Sequence, residues 1–160
     1  MKKVSAISFF VEGSNITQGS FNNYGVGKLV PVNAKELNAW RKKVAKAFQE
    51  NGVKDLMNCN LFSIKCVFFF EAPKAREKKA SEWMRTEIDG VPLLPRNVGK
   101  DVDKMLRSIC DSFSMSTSPD MKAKNGINDS KIYKMVAEKY EFPSGSSSEG
   151  VLIELEGFII

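Results

Sequence analysis

The sequence predicts a single α/β (α+β) domain in which a mixed β-sheet packs against two main helices. Two stretches, near residues 34–50 and 101–114, carry apolar residues at the spacing of an amphipathic helix. Around them lie β-branched and aromatic runs, which are typical of strands. The length of 160 residues suits one domain that buries its core without a disulfide or metal.

The N-terminal region is predicted to contain two strands joined by a polar segment. Residues 4–11 are apolar and β-rich, so they predict a strand. Residues 13–27 are rich in glycine and asparagine, which indicates a loop or hairpin. Residues 28–32 predict a second, short strand, and Pro31 confines it to an edge or an end because proline cannot donate a ladder hydrogen bond.

The first helix is predicted over residues 34–50. Asn33 is followed three residues later by Glu36, the spacing of a capping box. Asn51 and Gly52 provide a stop signal. The apolar side of this helix consists of Leu37, Trp40, Val44 and Phe48.

The rest of the sheet is predicted from three further segments. Residues 61–71 read as a central strand and 151–155 as a closing strand. The pattern of 130–142 is compatible with either a strand or a helix. Residues 72–100 lack clean periodicity and contain three prolines, so they predict a long loop, with a helical turn near 77–86.

The second helix is predicted over residues 101–114, with a polar connection after it over 115–126. Its apolar side consists of Val102, Met105, Leu106, Ile109, Cys110 and Phe113. Asp103, Arg107 and Asp111 are spaced four residues apart and therefore share the opposite side of the helix.

Composition excludes several classes of chemistry. Histidine is absent, so the chain has no histidine general base and no histidine-ligated zinc. Three scattered cysteines are too few for a cysteine-only zinc site and give no disulfide framework. We expect a cytoplasmic protein with no membrane partner and no organic cofactor. The net charge of +5 favours a polyanionic partner such as nucleic acid.

Two carboxylates at the start of the second helix are candidate metal ligands. Asp101 lies at or beside the N-cap, and Asp103 follows two residues later. At a first turn the two side chains can converge on a hard cation such as Mg²⁺. Alternatively, Asp101 only caps the helix and Asp103 forms an ordinary surface pair with Arg107.

The segment after this helix adds a third motif to the acidic residues of the helix. In chain order the three motifs are Asp101-Val102-Asp103-Lys104, then Arg107 and Asp111, then Asn128-Asp129-Ser130-Lys131-Ile132. In this order the chain resembles the RusA family of Holliday-junction resolvases. That family carries D-x-D-N opening a helix, K-x-x-x-D within it, and D-D-x-x-[VI] entering a strand. The specific part of the resemblance covers residues 99–132.

The resemblance implies a RusA-like fold and a Mg²⁺-dependent endonuclease, with Mn²⁺ as an alternative ion. Such an enzyme acts as a homodimer on four-way DNA junctions and makes paired symmetric cuts. Asp101, Asp103 and Asp129 would bind the metal and take part in catalysis, together with Arg107. The chain departs from the family pattern in three places: Lys104 replaces Asn, Arg107 replaces Lys, and Asn128 replaces the first Asp.

A basic stretch leads into these carboxylates. Between residues 73 and 100 there are seven Lys and Arg and four Asp and Glu. Phosphate contacts from such residues give affinity without reading sequence, which suits recognition of junction shape. The candidate DNA-binding residues are Lys74, Arg76, Lys78, Lys79, Arg96, Lys100 and Lys104. A solvated charged loop is the alternative, and Arg41, Lys42, Lys43 and Lys46 are interpreted as a solvated helix face.

Three other functions remain open at this point. The first is a module of the same fold that binds branched DNA without cleaving it, which the changes at Arg107 and Asn128 favour. The second is a Mg²⁺-dependent nuclease that prefers flaps or other branched DNA. The third is a basic structural protein in which the aspartates only cap a helix.

Overall fold

The computed structural model describes residues 1–17, 21–23, 29–31, 33–76, 86–88 and 90–160, with the backbone alone for 21–23, 29–31 and 86–88. Its main feature is a mixed β-sheet. In chain order the strands are β1 (Lys2–Glu12), β2 (Phe21–Asn23), β3 (Leu29–Pro31), β4 (Leu61–Glu71), β5 (Thr86–Ile88), β6 (Val91–Pro95), β7 (Ile132–Phe142) and β8 (Gly150–Ile159).

The large sheet has six strands in the order β1-β8-β4-β7-β6-β5. The β4–β7 pair is parallel, and the other neighbours are antiparallel. Strands β2 and β3 form a separate antiparallel pair. This mixed sheet confirms the predicted fold class.

Two long helices pack on one face of the large sheet. They are α1 (Ala34–Glu50) and α2 (Val102–Ser116), both close to their predicted bounds. Phe48 of α1 and Phe62 of β4 lie 5.6 Å and 5.1 Å from Phe113 of α2, ring centre to ring centre. Burying such aromatic side chains is a main source of stability in a domain core. The two helices and β4 therefore share one core.

Strand β4 is buried on both faces, which explains its nearly continuous apolar sequence. Alternate residues such as Ile64 and Phe68 join the core beneath the helices. Val67 and Phe69 point to the other face, where they pack with Leu93 and Phe142 in a second, smaller cluster. The prediction of a central strand is confirmed here.

The predicted long loop over residues 72–100 is wrong in its second half. Strands β5 and β6 form a hairpin there, and β6 joins β7 through Leu94 and Pro95. A proline tolerates this position because it lies at the end of a short strand. Most of the predicted helical turn near 77–86 lies outside the described residues.

Residues 130–142, whose pattern is compatible with a strand or a helix, form the strand β7. Strand β8 is longer than the predicted strand over 151–155.

The capping box predicted for α1 is also wrong. The backbone N–H of Leu37 donates to the carbonyl of Asn33, so the helix does begin where predicted. The Asn33 side chain forms no cap with the described helix, and its Nδ2 donates instead to the carbonyl of Thr17, at 2.7 Å. Asn33 thus ties the N-terminal segment to α1 rather than satisfying the helix end.

No helix in the described part of the chain has both the length and the apolar character needed to cross a membrane. The three cysteines are free and buried, as expected for small apolar residues in a core.

Candidate active site

The N-terminus of α2 presents Asp101 to solvent. Asp101 occupies the N-cap with an extended backbone, but within the fully described helix α2 its side chain makes no capping hydrogen bond. Its Oδ2 instead pairs with Lys104 Nζ at 2.9 Å, and both side chains are more than half exposed. The hydrogen bond and charge of Lys104 lower the pKa of Asp101, and Lys139 adds to this effect. Asp101 therefore remains an ionised carboxylate at the surface.

Two lysines flank this helix start from the sheet side. Lys139 of β7 donates from Nζ to the carbonyl of Lys100, at 3.0 Å. Lys100 donates from Nζ to the carbonyl of Asn15, at 2.6 Å. Partial burial lowers the pKa of Lys100, and the charge of Arg96 acts in the same direction. Sequence reasoning missed Lys139 because the pattern of residues 130–142 did not reveal a strand.

The outer side of α2 carries the predicted row of charges. Asp103 and Arg107 are exposed, whereas Asp111 is partly buried and pairs with Arg41 of α1 at 2.5 Å. Burial raises the pKa of Asp111 and the charge of Asp129 adds to it, while Arg41 and Arg107 oppose the shift. The interpretation of Arg41 as part of a solvated face is wrong, since its side chain is only 20% exposed.

A short turn before β7 positions Asp129. Asn128 accepts a hydrogen bond on Oδ1 from the Ser130 N–H, at 2.8 Å, and so caps a 3₁₀ turn over Asp129–Lys131. Thus Asn128, which stands where the RusA pattern has an aspartate, has a structural role. Asp129 itself is exposed. The orientation of this turn decides which carboxylates Asp129 can approach.

The segment before Asp129 is fixed against the C-terminal end of α2. Ser114 donates from Oγ to the carbonyl of Ile127, at 2.7 Å, and the Ile127 N–H donates to Thr117 Oγ1, at 2.8 Å. Gly126 lies so close that a Cβ there would be 1.7 Å from the Ser114 carbonyl oxygen. Only glycine fits this approach of two backbones.

The acidic residues fall into two neighbouring groups along α2. Asp101 pairs with Lys104, and the charge of Lys139 also lowers the pKa of Asp101, whereas the charge of Asp129 raises the pKa of Asp111. A helix rises 1.5 Å per residue, so Asp103 and Asp111 are separated by about 12 Å along the axis. Among the described residues, no three Asp, Glu, Cys or His side chains are close enough to hold one metal ion. The structure therefore does not bring the predicted triad together as one group.

The donor chemistry at the start of α2 nevertheless suits Mg²⁺. This ion prefers oxygen ligands and is usually bound through one or two carboxylates together with water and substrate phosphate. Asp101 and Asp103 offer exposed carboxylate oxygens of that kind. Asp129 is not placed with them, so a third ligand from Asp129 is not part of this fit.

The predicted DNA-binding cations differ in their availability. Arg76 and Arg96 both bind the fully buried carboxylate of Glu141, at 2.8 Å and 3.1 Å. Arg96 also lies over the ring of Phe70 and is only 15% exposed. Lys100 is committed to the Asn15 carbonyl.

Other predicted DNA-binding cations have side chains that are more exposed to solvent. Lys74 and Lys104 are exposed, although Lys104 pairs with Asp101. Lys78 and Lys79 lie outside the described residues, so their predicted role remains a prediction. Contact between DNA and any of the seven candidate DNA-binding lysines and arginines is likewise a prediction.

Comparison with family models and with curated proteins finds no match to this chain.

Proposed function

We propose that the chain is a Mg²⁺-dependent endonuclease that cuts four-way DNA junctions as a homodimer. The carrying observation is that Asp101 holds the N-cap position without capping the helix, and keeps its carboxylate exposed beside Asp103. A capping aspartate would direct its oxygen to the first backbone N–H groups, whereas the oxygen of Asp101 faces outward to the exposed Lys104 ammonium group. The RusA resemblance of residues 99–132 gives this exposed pair its function.

Each residue has a distinct role in the proposal. Asp101 and Asp103 would hold the ion, and Arg107, one turn further along, would bind the scissile phosphate. A bound divalent ion lowers the pKa of water and offsets charge on the phosphate. A guanidinium group does not give up its proton under ordinary conditions, so the role of Arg107 would be to stabilise negative charge.

Asp129 enters the proposal through the RusA resemblance of residues 99–132, in which it matches the second Asp of the D-D pair. In this structure its charge raises the pKa of Asp111 on the outer side of α2. A two-fold dimer would present two such sites to opposed strands of a junction, which accounts for paired cuts.

The experiment compares three single substitutions on a labelled synthetic four-way junction with Mg²⁺. Asp101→Asn and Asp129→Asn should abolish cutting while junction binding persists, because each removes one negative charge and keeps the side-chain shape. Asp55→Asn, at an exposed aspartate outside the site, is the matched control and should cut like the wild type. Unchanged cutting by Asp101→Asn would contradict the proposal.

A second candidate is a protein that binds branched DNA without cutting it. The structural use of Asn128, which caps the turn where the RusA pattern has an aspartate, favours this function. The two candidates differ in a Mg²⁺ titration with purified protein and labelled junction. Binding that continues at every Mg²⁺ concentration with no product would support the second candidate.

A further inference from the structure

A groove of about 480 Å³ lies between α1 and the segment that follows α2. The charged side chains along it are Arg41, Lys42, Asp111, Lys122 and Lys124. Four of these five are cations. The carboxylate among them, on Asp111, is already paired with Arg41. Among the residues that the structure describes, the groove walls therefore carry an excess of positive charge.

The lysines after α2 are held in place by an ordered turn. Asp120 accepts hydrogen bonds from Ser118 Oγ at 2.5 Å, from Asn125 Nδ2 at 2.7 Å and from the Lys122 N–H at 3.3 Å. These bonds, above all the one from Ser118, lower the pKa of Asp120, so its carboxylate stays ionised and continues to accept. The polar connection predicted over residues 115–126 is thus a built structure that directs Lys122 and Lys124 toward one groove.

A second tie joins this turn to α1. Gln49 donates from Nε2 to the carbonyl of Ser116 and to Met121 Sδ, both at 3.2 Å. Met121, which also lines the groove, has a φ of 56°, a left-handed conformation that is costly for a residue with a side chain. The two walls of the groove are therefore fixed relative to one another.

The cations of the groove have unused binding capacity. Within the described residues, Lys42 and Lys124 form no ion pair, and Lys122 has only a long contact to Asp120 at 3.8 Å. The Nε of Arg41 is buried with no hydrogen-bond acceptor in the described part of the chain.

We propose that this groove binds phosphates of the DNA backbone and forms a second contact with the substrate, beside the row Asp103, Arg107 and Asp111. This inference rests on the proposed function and deepens it. Lys42 and Lys124 contact phosphate oxygens from opposite walls. Lysine ammonium groups bind phosphate as point charges and need no particular base sequence, which suits a protein that recognises the shape of a junction.

The test measures how binding of a synthetic four-way junction depends on salt, without divalent ions so that no cutting occurs. Each lysine–phosphate interaction that a substitution removes should make the slope of log affinity against log salt less steep by about one. The double variant Lys42→Ala, Lys124→Ala should therefore reduce the slope by about two. The matched control is Lys43→Ala, Lys54→Ala, which removes the same charge from exposed lysines that do not line the groove.

The expected result is a reduced slope for the groove variant and a wild-type slope for the control, with equal unfolding midpoints. Equal slopes for the two double variants would overturn the groove while leaving the proposed nuclease intact, because cutting is tested separately at Asp101 and Asp129. A wild-type protein that does not bind the junction at all would overturn both proposals.

Discussion

Two basic regions of this molecule use their positive charges in opposite ways. In the segment that leads to α2, Arg76 and Arg96 converge on the buried Glu141. In the groove beside α1, Lys42 and Lys124 lie exposed along open walls. The sequence predicts DNA binding for the segment and a solvated face for the α1 lysines. The number of cations in a stretch thus does not reveal which of them already have a partner.

The physical reason lies in a single carboxylate. Glu141 is 0% exposed on a strand of the central sheet, and a buried charge is stable only when it is paired. Two guanidinium groups supply this pairing, so the segment uses these cations to stabilise the fold. The described walls of the groove contain one carboxylate and four cations, so most of their positive charge stays available.

Removing that buried charge should have the strongest consequence. Glu141→Gln should lower the free energy of unfolding by about 3 kcal/mol, because the two partly buried arginines lose the negative charge that balances them. The measurement is chemical denaturation followed by circular dichroism. Glu156→Gln is the control, since the Glu156 side chain is 39% exposed, pairs with Lys3 and should contribute less than about 1 kcal/mol. Equal losses of unfolding free energy for both variants would contradict the claim that the buried Glu141 carboxylate stabilises the fold by pairing with Arg76 and Arg96.

The next prediction separates the two regions directly. Arg96→Ala should destabilise the fold by about 1.5–3 kcal/mol, the range for a hydrogen bond to a charged group, and leave the salt slope of junction binding unchanged. Lys124→Ala should do the reverse, changing stability by less than about 0.5 kcal/mol and reducing the slope by about one. Paired denaturation and binding measurements check both. A reduced salt slope for Arg96→Ala would show that Arg96 contacts DNA phosphate and would contradict this prediction.

The turn that delivers Asp129 should be sensitive to one added methyl group. Gly126→Ala should cost about 1–3 kcal/mol, because the Cβ would collide with the Ser114 carbonyl and force the backbone apart. Ser147→Ala, a change of similar size at an exposed position, serves as the control in the same thermal unfolding experiment. A stable Gly126→Ala variant would show that the contact between the turn and α2 is loose.

The weakest of these effects is a pH dependence of opposite sign at two aspartates. The pKa of Asp111 is raised above 3.8, so its contribution to stability is present below that pH and is lost as the pH rises through the folded value. The pKa of Asp120 is lowered, so its contribution is present at neutral pH and is lost as the pH falls.

The variants Asp111→Asn and Asp120→Asn isolate these contributions. Relative to Asp111→Asn, the wild type should gain stability as the pH is lowered from 7 toward the usual aspartate pKa of roughly 4, and the difference should stay constant below that pH. Relative to Asp120→Asn, it should lose stability as the pH falls below that value. Denaturation curves at several pH values measure both differences, and slopes of the same sign would contradict the assignment.

Much of the fold follows from periodicity. The stripe Leu37, Trp40, Val44 and Phe48 predicts α1, and the run over residues 61–71 predicts a central strand, because burial on one or two faces leaves a direct trace in the sequence. The β5–β6 hairpin leaves no such trace. Its strands are three and five residues long and the second contains two prolines, so their local strand preference is weak.

The candidate site was predictable in part. The row Asp103, Arg107 and Asp111 follows from helical spacing, and Asp103 and Arg107 are exposed as expected, whereas Asp111 is partly buried against Arg41 of α1. The neighbours of Asp129 could not be predicted from the sequence, because they depend on how the segment before the turn over Asp129–Lys131 packs against the end of α2. Lys139 and the Arg41–Asp111 pair required tertiary contacts that no local pattern encodes.

The nuclease proposal is tested most directly by incubating the wild-type protein with a labelled four-way junction, beside three-way, flap and linear DNA of the same sequence, over a range of Mg²⁺ concentrations. We expect paired cuts in opposed strands of the four-way junction that require Mg²⁺ or Mn²⁺, with linear duplex left intact. Junction binding without any cut at all metal concentrations, or cutting that proceeds equally in the presence of a chelator, would contradict the proposal.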